Sequence, residues 1–321
     1  MNSKICPHCH CNTKIIKYGT TSSGRHRYKC KNCNRTWTST PRLSRIEDKI
    51  WHDYVFSNMT IETIAGTYNI SLRKVSRIIK NYKVSPIIPP KDYHCDVIHT
   101  DVTYVGHKYG FLSVLDTRNG KCLYCGLTRG HETVYDYEKA LNMLNAAGIY
   151  PKAVVMDGIP GAMKMFKNRG LYVQMCQFHM ISIMTKYLTR NPVLEQNKEL
   201  RNIVKWLPRT NKKQFEGMFY SWKLKNELWL RERHENEEGK LEFSHQKTRS
   251  LVRSLCVLIP FLFTYELHPE LTIPKTNNKI EGVHSALKCK LNTHRGAKKA
   301  VKIKIAFNFL SGRTEVKKHT K

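Results

Sequence analysis

One stretch, His94 to Arg118 (HCDVIHTDVTYVGHKYGFLSVLDTR), restricts the possible folds more than any other. Val97, Ile98, Val102, Tyr104 and Val105 predict a strand, and Phe111, Leu112, Val114 and Leu115 predict a second, joined by a tight glycine turn. Asp101 stands in the middle of the first. Aspartate is depleted in strands, and a buried carboxylate is costly unless something pairs with it. A metal ion is one such partner. A solvated strand face or a bond to a turn is the bland alternative, and this run alone does not choose.

The next segments do. Lys121 to Thr128 predicts a third strand. Gly130-His131-Glu132 then precede a helix with Val134, Tyr137, Leu141, Leu144 and Ala147 on one face, stopped by Gly148. Lys152 to Gly158 reads as a short buried strand with Asp157 at its C-terminal end, where α/β sheets hold ligands. A helix over Ala162–Lys167 and a strand over Leu171–Met175 lead into Cys176-Gln177-Phe178-His179. This βββαβαβ order matches an α/β, ribonuclease H-like core. In such a core Asp101 and Asp157 occupy neighbouring central strands. Two close carboxylates repel unless divalent cations bridge them, and Mg2+ takes carboxylate oxygens and water. A third acid is expected from a later helix. Pro274 breaks the chain, Asn277 or Asn278 can cap, and Glu281 falls in the first turn or two. His284 and Lys288 follow on the same face. A capping-box role is the competing explanation of Glu281.

The N-terminal region carries a second metal signature. Cys6-Pro7-His8-Cys9 and Cys30-Lys31-Asn32-Cys33 are two C-x2-C knuckles, each half of a tetrahedral zinc shell. Short β-like pieces around Gly19 and Gly24 complete the layout of a zinc ribbon over residues 1–40, where metal replaces a core too small to form alone. His8, His10 and Cys11 crowd the first knuckle as bystanders or alternates. Residues 41–83 predict three helices: Ile46, Ile50, Trp51, Tyr54 and Val55 on the first, Thr60 capping the second, Ser71 capping the third. The last two form a helix-turn-helix, with Ser71, Arg73, Lys74, Arg77 and Lys80 directed at DNA. A three-helix bundle with a solvated basic face is the alternative. A Pro-rich linker spans residues 84–93.

Charge supports the DNA reading. The net charge is +30, from 55 Lys+Arg against 25 Asp+Glu, and such an imbalance attracts polyanions. It gathers at the ends: 17 basic and 5 acidic residues in 1–92, 11 basic residues and Glu315 alone in 285–321. The start of the chain lacks a signal-peptide core. The longest apolar run, Leu255 to Phe263, holds Pro260 and is too short for a bilayer, so a soluble intracellular protein without a membrane partner is expected. Eleven cysteines then suggest metal ligands and free thiols rather than disulfides.

The ordered set HTDVTYV around Asp101, Val155-Met156-Asp157-Gly158, Cys176-x-x-His179, Thr276-Asn-Asn-x-x-Glu281-Gly282 and His294-Arg295-Gly296 resembles the DDE transposases of bacterial insertion sequences related to the eukaryotic Mutator elements. The resemblance implies that Asp101, Asp157 and Glu281 form a triad holding two Mg2+ ions, with Mn2+ as a substitute, and that His179 lies near the scissile strand. It implies a structural Zn2+, terminal inverted repeats and target DNA as partners, a homodimer or larger assembly, and a bacterial, nucleoid-associated cytoplasmic location. The family carries a helical insertion between its second Asp and its Glu. Here 123 residues separate Asp157 from Glu281, so the core is expected over 94–189 and 274–321, with the insertion at 190–273. Arg295, Lys298 and Lys299 are expected to meet phosphates. Trp222 and Trp229 suit either the insertion's core or stacking on bases. Cys122 and Cys125 match a knuckle spacing but should face opposite sides of a strand. The rival functions are a non-catalytic DNA-binding regulator and a ribonuclease H-like nuclease without strand transfer.

Overall fold

The computed structural model describes residues 6, 8–9, 11, 14–22, 24, 26–38, 43–85, 87, 93–106 and 109–312. His10, Pro41, most of the Pro-rich linker and the basic tail beyond Gly312 lie outside them. The chain forms two compact units, Met1–Lys83 and Val84–Lys321.

In the first unit, β1 (Ile15–Thr20), β2 (His26–Cys30) and β3 (Thr36–Thr38) form an antiparallel sheet in that order. Little apolar surface is buried in it beyond Tyr28, which leans on Trp37 with ring centroids 6.0 Å apart. Three helices follow: α1 (Leu43–Phe56), α2 (Ile61–Tyr68) and α3 (Leu72–Asn81). Their core is Ile50, Trp51, Tyr54, Val55, Ile64, Val75, Ile78 and Ile79, whereas Ile46 is exposed. Thr60 and Ser71 cap α2 and α3 by accepting from the backbone N–H groups of Thr63 and Lys74. Asn69, at φ 50°, makes the left-handed turn between them.

The second unit is built on a mixed five-stranded sheet. Its strands are β4 (Val97–Val105), β5 (Tyr109–Asp116), β6 (Cys122–Arg129), β7 (Ala153–Met156) and β8 (Tyr172–Met175), in the order β6-β5-β4-β7-β8. β5 runs antiparallel to β4 and β6, and β7 runs parallel to β4 and β8. α4 (Val134–Ala146) and α5 (Pro160–Asn168) connect β6 to β7 and β7 to β8, giving the expected βββαβαβ order. Strand periodicity sorts the faces. Ile98, Val102, Leu112 and Val114 join Tyr137, Ala140, Leu141 and Leu144 of α4 in one apolar cluster.

The chain leaves the sheet through α6 (Gln177–Leu188) and enters α7 (Glu195–Trp206), α8 (Lys212–Lys225) and α9 (Glu227–Arg231). A hairpin of β9 (Arg233–Glu235) and β10 (Leu241–Phe243) separates these helices from α10 (Gln246–Leu262) and α11 (Thr264–Leu267) in a region that is otherwise largely helical. Its turn is made locally: Asn236 Oδ1 accepts from the N–H groups of Glu238 at 3.0 Å and Lys240 at 2.9 Å. The stretch Gln246–Leu267 is long and apolar enough to cross a membrane. However, it buries Leu251, Val252, Leu255, Ile259 and Leu262 in this unit's own core. α12 (Asn278–Thr293) then returns to β4, and α13 (Lys299–Ser311) lays Phe307 edge-on against Phe111 of β5.

Candidate active site

Register decides which acids meet. His99 of β4 pairs with Val155 of β7 in parallel. β7 ends at Met156, so Asp157 stands directly past its C-terminal end, near enough to Asp101 of the neighbouring β4 for that charge to reach it. The opposite neighbour of Asp101 on β5 is Ser113. His284, buried on α12, closes this group: its Nδ1–H donates to Asp101 Oδ2 at 3.0 Å, and its Nε2 hydrogen-bonds Ser113 Oγ at 3.1 Å. The other carboxylate oxygen of Asp101 accepts from the Val102 N–H at 2.7 Å. The acid in the strand is therefore held in place on both oxygens.

Glu281 lies in the first turn of α12, and Asn277 places that turn. Sequence pattern suggested Asn277 or Asn278 as a side-chain cap. Asn277 does occupy the N-cap position, but its side chain makes no capping bond. Fully buried, it turns inward instead. Its Oδ1 accepts from His99 Nδ1–H at 2.7 Å, and its Nδ2 donates to Thr100 O at 3.3 Å and more weakly to Asp157 Oδ1 at 3.5 Å. The Asn277 N–H reaches Cys176 Sγ at 3.2 Å. Burial pushes His99 down to about 4, so it stays neutral and serves as a donor. Lys279 adds a tie to the end of β5 through the carbonyls of Thr117 and Arg118. If these acids hold Mg2+, Asn277→Ala should leave Asp157 and Glu281 chemically intact yet lower Mg2+ affinity about 10–100-fold, the usual cost of losing an outer partner. Titration calorimetry measures this, and an affinity within twofold of the parent would show that Asn277 is only structural.

His179 lies in the first turn of α6, with Cys176 at its N-cap position. Its Nδ1 sits 3.0 Å from Asp157 Oδ1 and 3.7 Å from Glu281 Oε1, close contacts that lack hydrogen-bond alignment. The imidazole thus links the second Asp to the Glu across 123 intervening residues. Cys176, His179 and Glu281 bring donor atoms within 4.8 Å of one another.

Burial, reinforced by the charge of Asp101, raises the Asp157 carboxyl to about 7. The charge of Glu132 adds to the effect. Sequence pattern used Glu132 only to mark the approach to α4, whose cap is in fact Thr133 paired with Asp136 in a capping box. Glu132 Oε2 accepts from the Tyr137 hydroxyl at 2.5 Å, and the Glu132 N–H donates to the Tyr104 hydroxyl at 2.9 Å. Burial raises its own carboxyl against the Tyr137 bond, and Asp101 raises it further. Two tyrosines therefore hold a fourth acid within electrostatic reach of the pair. Glu132→Gln should move the Asp157 carboxyl down from about 7, read by carboxyl carbon shifts in magnesium-free protein. An unmoved titration would place Glu132 outside the cluster.

A second centre lies in the first unit. Cys6 Sγ is 3.7 Å from Cys33 Sγ, and Cys9 Sγ is 3.5 Å from Cys30 Sγ. All four donor atoms lie within 4.8 Å of one another. Four thiolates on one zinc ion at 2.3 Å would stand about 3.8 Å apart, so the donor set fits. The Cys11 backbone N–H chiefly lowers Cys9 to about 6. Cys33, despite the Arg35 N–H, is raised to about 11 by burial and the neighbouring sulfurs. Cys11 and His8 are not in the cluster.

Of the expected DNA-contacting residues, Arg73, Arg77 and Lys80 are exposed on α3, Lys74 is half-buried, and Ser71 is occupied as the cap. Arg295 and Lys298 are exposed between α12 and α13, and the exposed Lys299 opens α13 with its Nζ 4.7 Å over the Tyr109 ring. Trp222 is buried in the same apolar cluster as the sheet residues Ile98 and Leu112, and Trp229 stacks on His245 at 3.8 Å. Cys122 and Cys125 do not point to opposite faces. A register shift pairs Cys122 with Leu115 and Cys125 with Ser113, which share one face of β5.

No family model matches the sequence, and no curated protein matches it. Among solved structures, the chain is similar to the simian T-cell lymphotropic virus intasome in complex with PP2A regulatory subunit B56 gamma. The identity is 12%, the match covers 49% of this chain and 67% of that one, and the TM-score is 0.22. It is similar to the HTLV-2 integrase catalytic core domain in complex with magnesium at 19% identity over 35% and 83% of the two chains, TM-score 0.20. It is also similar to the Drosophila P element transposase strand transfer complex at 10% identity over 89% and 95%, TM-score 0.41.

Proposed function

We propose that this chain is a DNA transposase with a ribonuclease H-like core, in which Asp101, Asp157 and Glu281 form a DDE triad. One observation carries the reading. Asp157 directly follows the strand beside that of Asp101 and feels its charge, and His179 lies 3.0 Å from Asp157 and 3.7 Å from Glu281 of a distant helix. An ordinary structural acid has no need of this convergence. The clustered carboxylates, with Asp157 poorly ionised through burial and the charge of Asp101, suit a hard divalent cation. Two Mg2+ ions, or Mn2+ in their place, bound by the triad would polarise the scissile phosphate and favour ionisation of the attacking hydroxyl.

The chain's own groups do the rest. His284 and Ser113 fix Asp101, Asn277 fixes the α12 turn, and His179 lies beside the phosphate. In the reaction a water oxygen attacks phosphorus at the element's end, the bond to the 3′ oxygen breaks, and that oxygen leaves as a 3′ hydroxyl. The freed hydroxyl then attacks target DNA. The first unit serves as a zinc ribbon followed by a helix-turn-helix that recognises terminal inverted repeats, with Arg73, Lys74, Arg77 and Lys80 facing DNA. Arg295, Lys298 and Lys299 bind phosphates beside the core. Joining two ends calls for a homodimer or larger assembly, working at the bacterial nucleoid.

The test is Mg2+-dependent cleavage of a duplex carrying the inverted repeats that flank the gene, followed by transfer to a supplied plasmid. The parent should perform both steps. If the Asp101→Ala, Asp157→Ala and Glu281→Ala variants all cut as well as the parent, the enzyme reading fails. Cleavage without transfer would leave a nuclease.

A further inference from the structure

The face of α6 that carries His179 continues away from the acids. Ile183 lies one turn on, and Lys186 and Tyr187 two turns on. From His179 to Tyr187 the helix rises about 12 Å. Ile183, Lys186 and Tyr187 form one wall of an open groove of about 550 Å3, and Gly158 and Pro160, directly after Asp157, close its near end. The far wall is α10, with Arg253, Ser254, Val257 and Leu258. Its floor is apolar, Val257 being 65% exposed, and its rim carries two exposed cations. No acidic residue lines it. The positive charge also continues past Arg253, since Arg249 is lowered by burial and then by the nearby charges of Arg253, Arg233 and Arg231.

We infer that this groove receives the nucleotide next to the scissile phosphate, with its base unstacked onto Ile183, Val257 and Tyr187 and its phosphates held by Lys186 and Arg253. Three features select this occupant over an apolar peptide. The groove opens beside Asp157. It pairs an apolar, aromatic floor with a cationic rim, the combination that binds single-stranded nucleic acid. The chain's net charge of +30 also favours a polyanion. The inference rests on the proposed reading, because only a phosphoryl-transfer site places a scissile bond at Asp157.

Photocrosslinking tests it without catalysis. A benzophenone amino acid replaces Val257 in the full-length, zinc-loaded protein, and the probe is a labelled oligothymidylate in magnesium-free buffer. Leu228, exposed and outside the groove, is the control position. Crosslinking from position 257 should exceed the control at least about fivefold and fall to the control level with Lys186→Ala and Arg253→Ala together. The salt slope of binding should fall by about 1.4 for the two lost phosphate contacts. Equal yields at 257 and 228, or equal yields with a fully paired duplex, would overturn the inference. Cleavage without crosslinking sinks the groove alone, whereas crosslinking without cleavage sinks the enzyme reading and with it the assignment to a scissile phosphate, leaving only a single-strand groove.

Discussion

Asp157→Asn should abolish DNA cleavage and at the same time stabilise the magnesium-free protein. The loss should be at least about a thousandfold in rate, roughly 4 kcal/mol of transition-state stabilisation, because an amide cannot replace a charged metal ligand. The gain has a separate origin. An unfolded Asp ionises near 4, whereas Asp157 in the fold ionises at about 7. Between these values the folded chain keeps a proton that the unfolded chain has released. The metal-free protein therefore loses stability as pH rises from about 4 to about 7 and levels off above that. Asparagine removes this slope. Thermal melting at pH 8 should shift upward by about 2–4 °C for each kcal/mol recovered. Added Mg2+ should raise the parent's melting temperature far more than the variant's. A variant that melts lower than the parent without Mg2+, or still cuts, contradicts the assignment. The same trade separates catalytic acids from structural ones, which lose stability when neutralised.

The second large effect belongs to the four-cysteine cluster. The sheet β1–β3 buries little beyond Tyr28, Cys6 and Cys30, far too little to fold by apolar burial. A structural zinc supplies about 10–16 kcal/mol in small domains of this kind. Cys30→Ser, or extraction with a strong chelator, should therefore collapse the sheet and release one zinc per chain. Helices α1–α3 should persist, because Ile50, Trp51, Val55, Ile64 and Val75 give them a core of their own. Amide spectra of the isotope-labelled chain resolve the two regions. A sheet that keeps its dispersed signals in metal-free protein would remove zinc from the account.

Local patterns made the sheet and its two acids visible. A β-rich run marks β4 and a short continuous apolar run marks β7; Asp101 stands out because strands rarely carry aspartate, and Asp157 because it ends a strand where α/β sheets hold ligands. Pro274 followed by a polar run announced α12, which put Glu281 in its first turn. What stayed hidden depends on contacts between distant segments. Asn277 looked like a cap because capping is local, but its side chain is occupied by His99, Thr100 and Asp157. Glu132 looked like a helix start, since nothing near it in sequence reveals that Tyr104 folds onto it from β4. The Cys122–Cys125 pair was assigned to opposite faces because a bulge shifts the period-two rule without a mark in the sequence. The β9–β10 hairpin was lost among helix-forming Glu and Lys residues, although Asn236 and Gly239 are ordinary turn residues.

The bond network of Asn277 also has a genetic consequence. Both aspartates leave the ribosome more than a hundred codons before Asn277 and Glu281. On the proposed reading, a nascent chain that still lacks Glu281 holds an incomplete triad and cannot cut, which protects the host chromosome during synthesis. A nonsense codon anywhere in the 190–273 segment preserves every residue assigned to repeat recognition in Met1–Lys83 while deleting Glu281. On the proposed reading, such a truncated copy would occupy the element's ends without breaking them. Decayed copies of the gene would then restrain intact ones in proportion to their number.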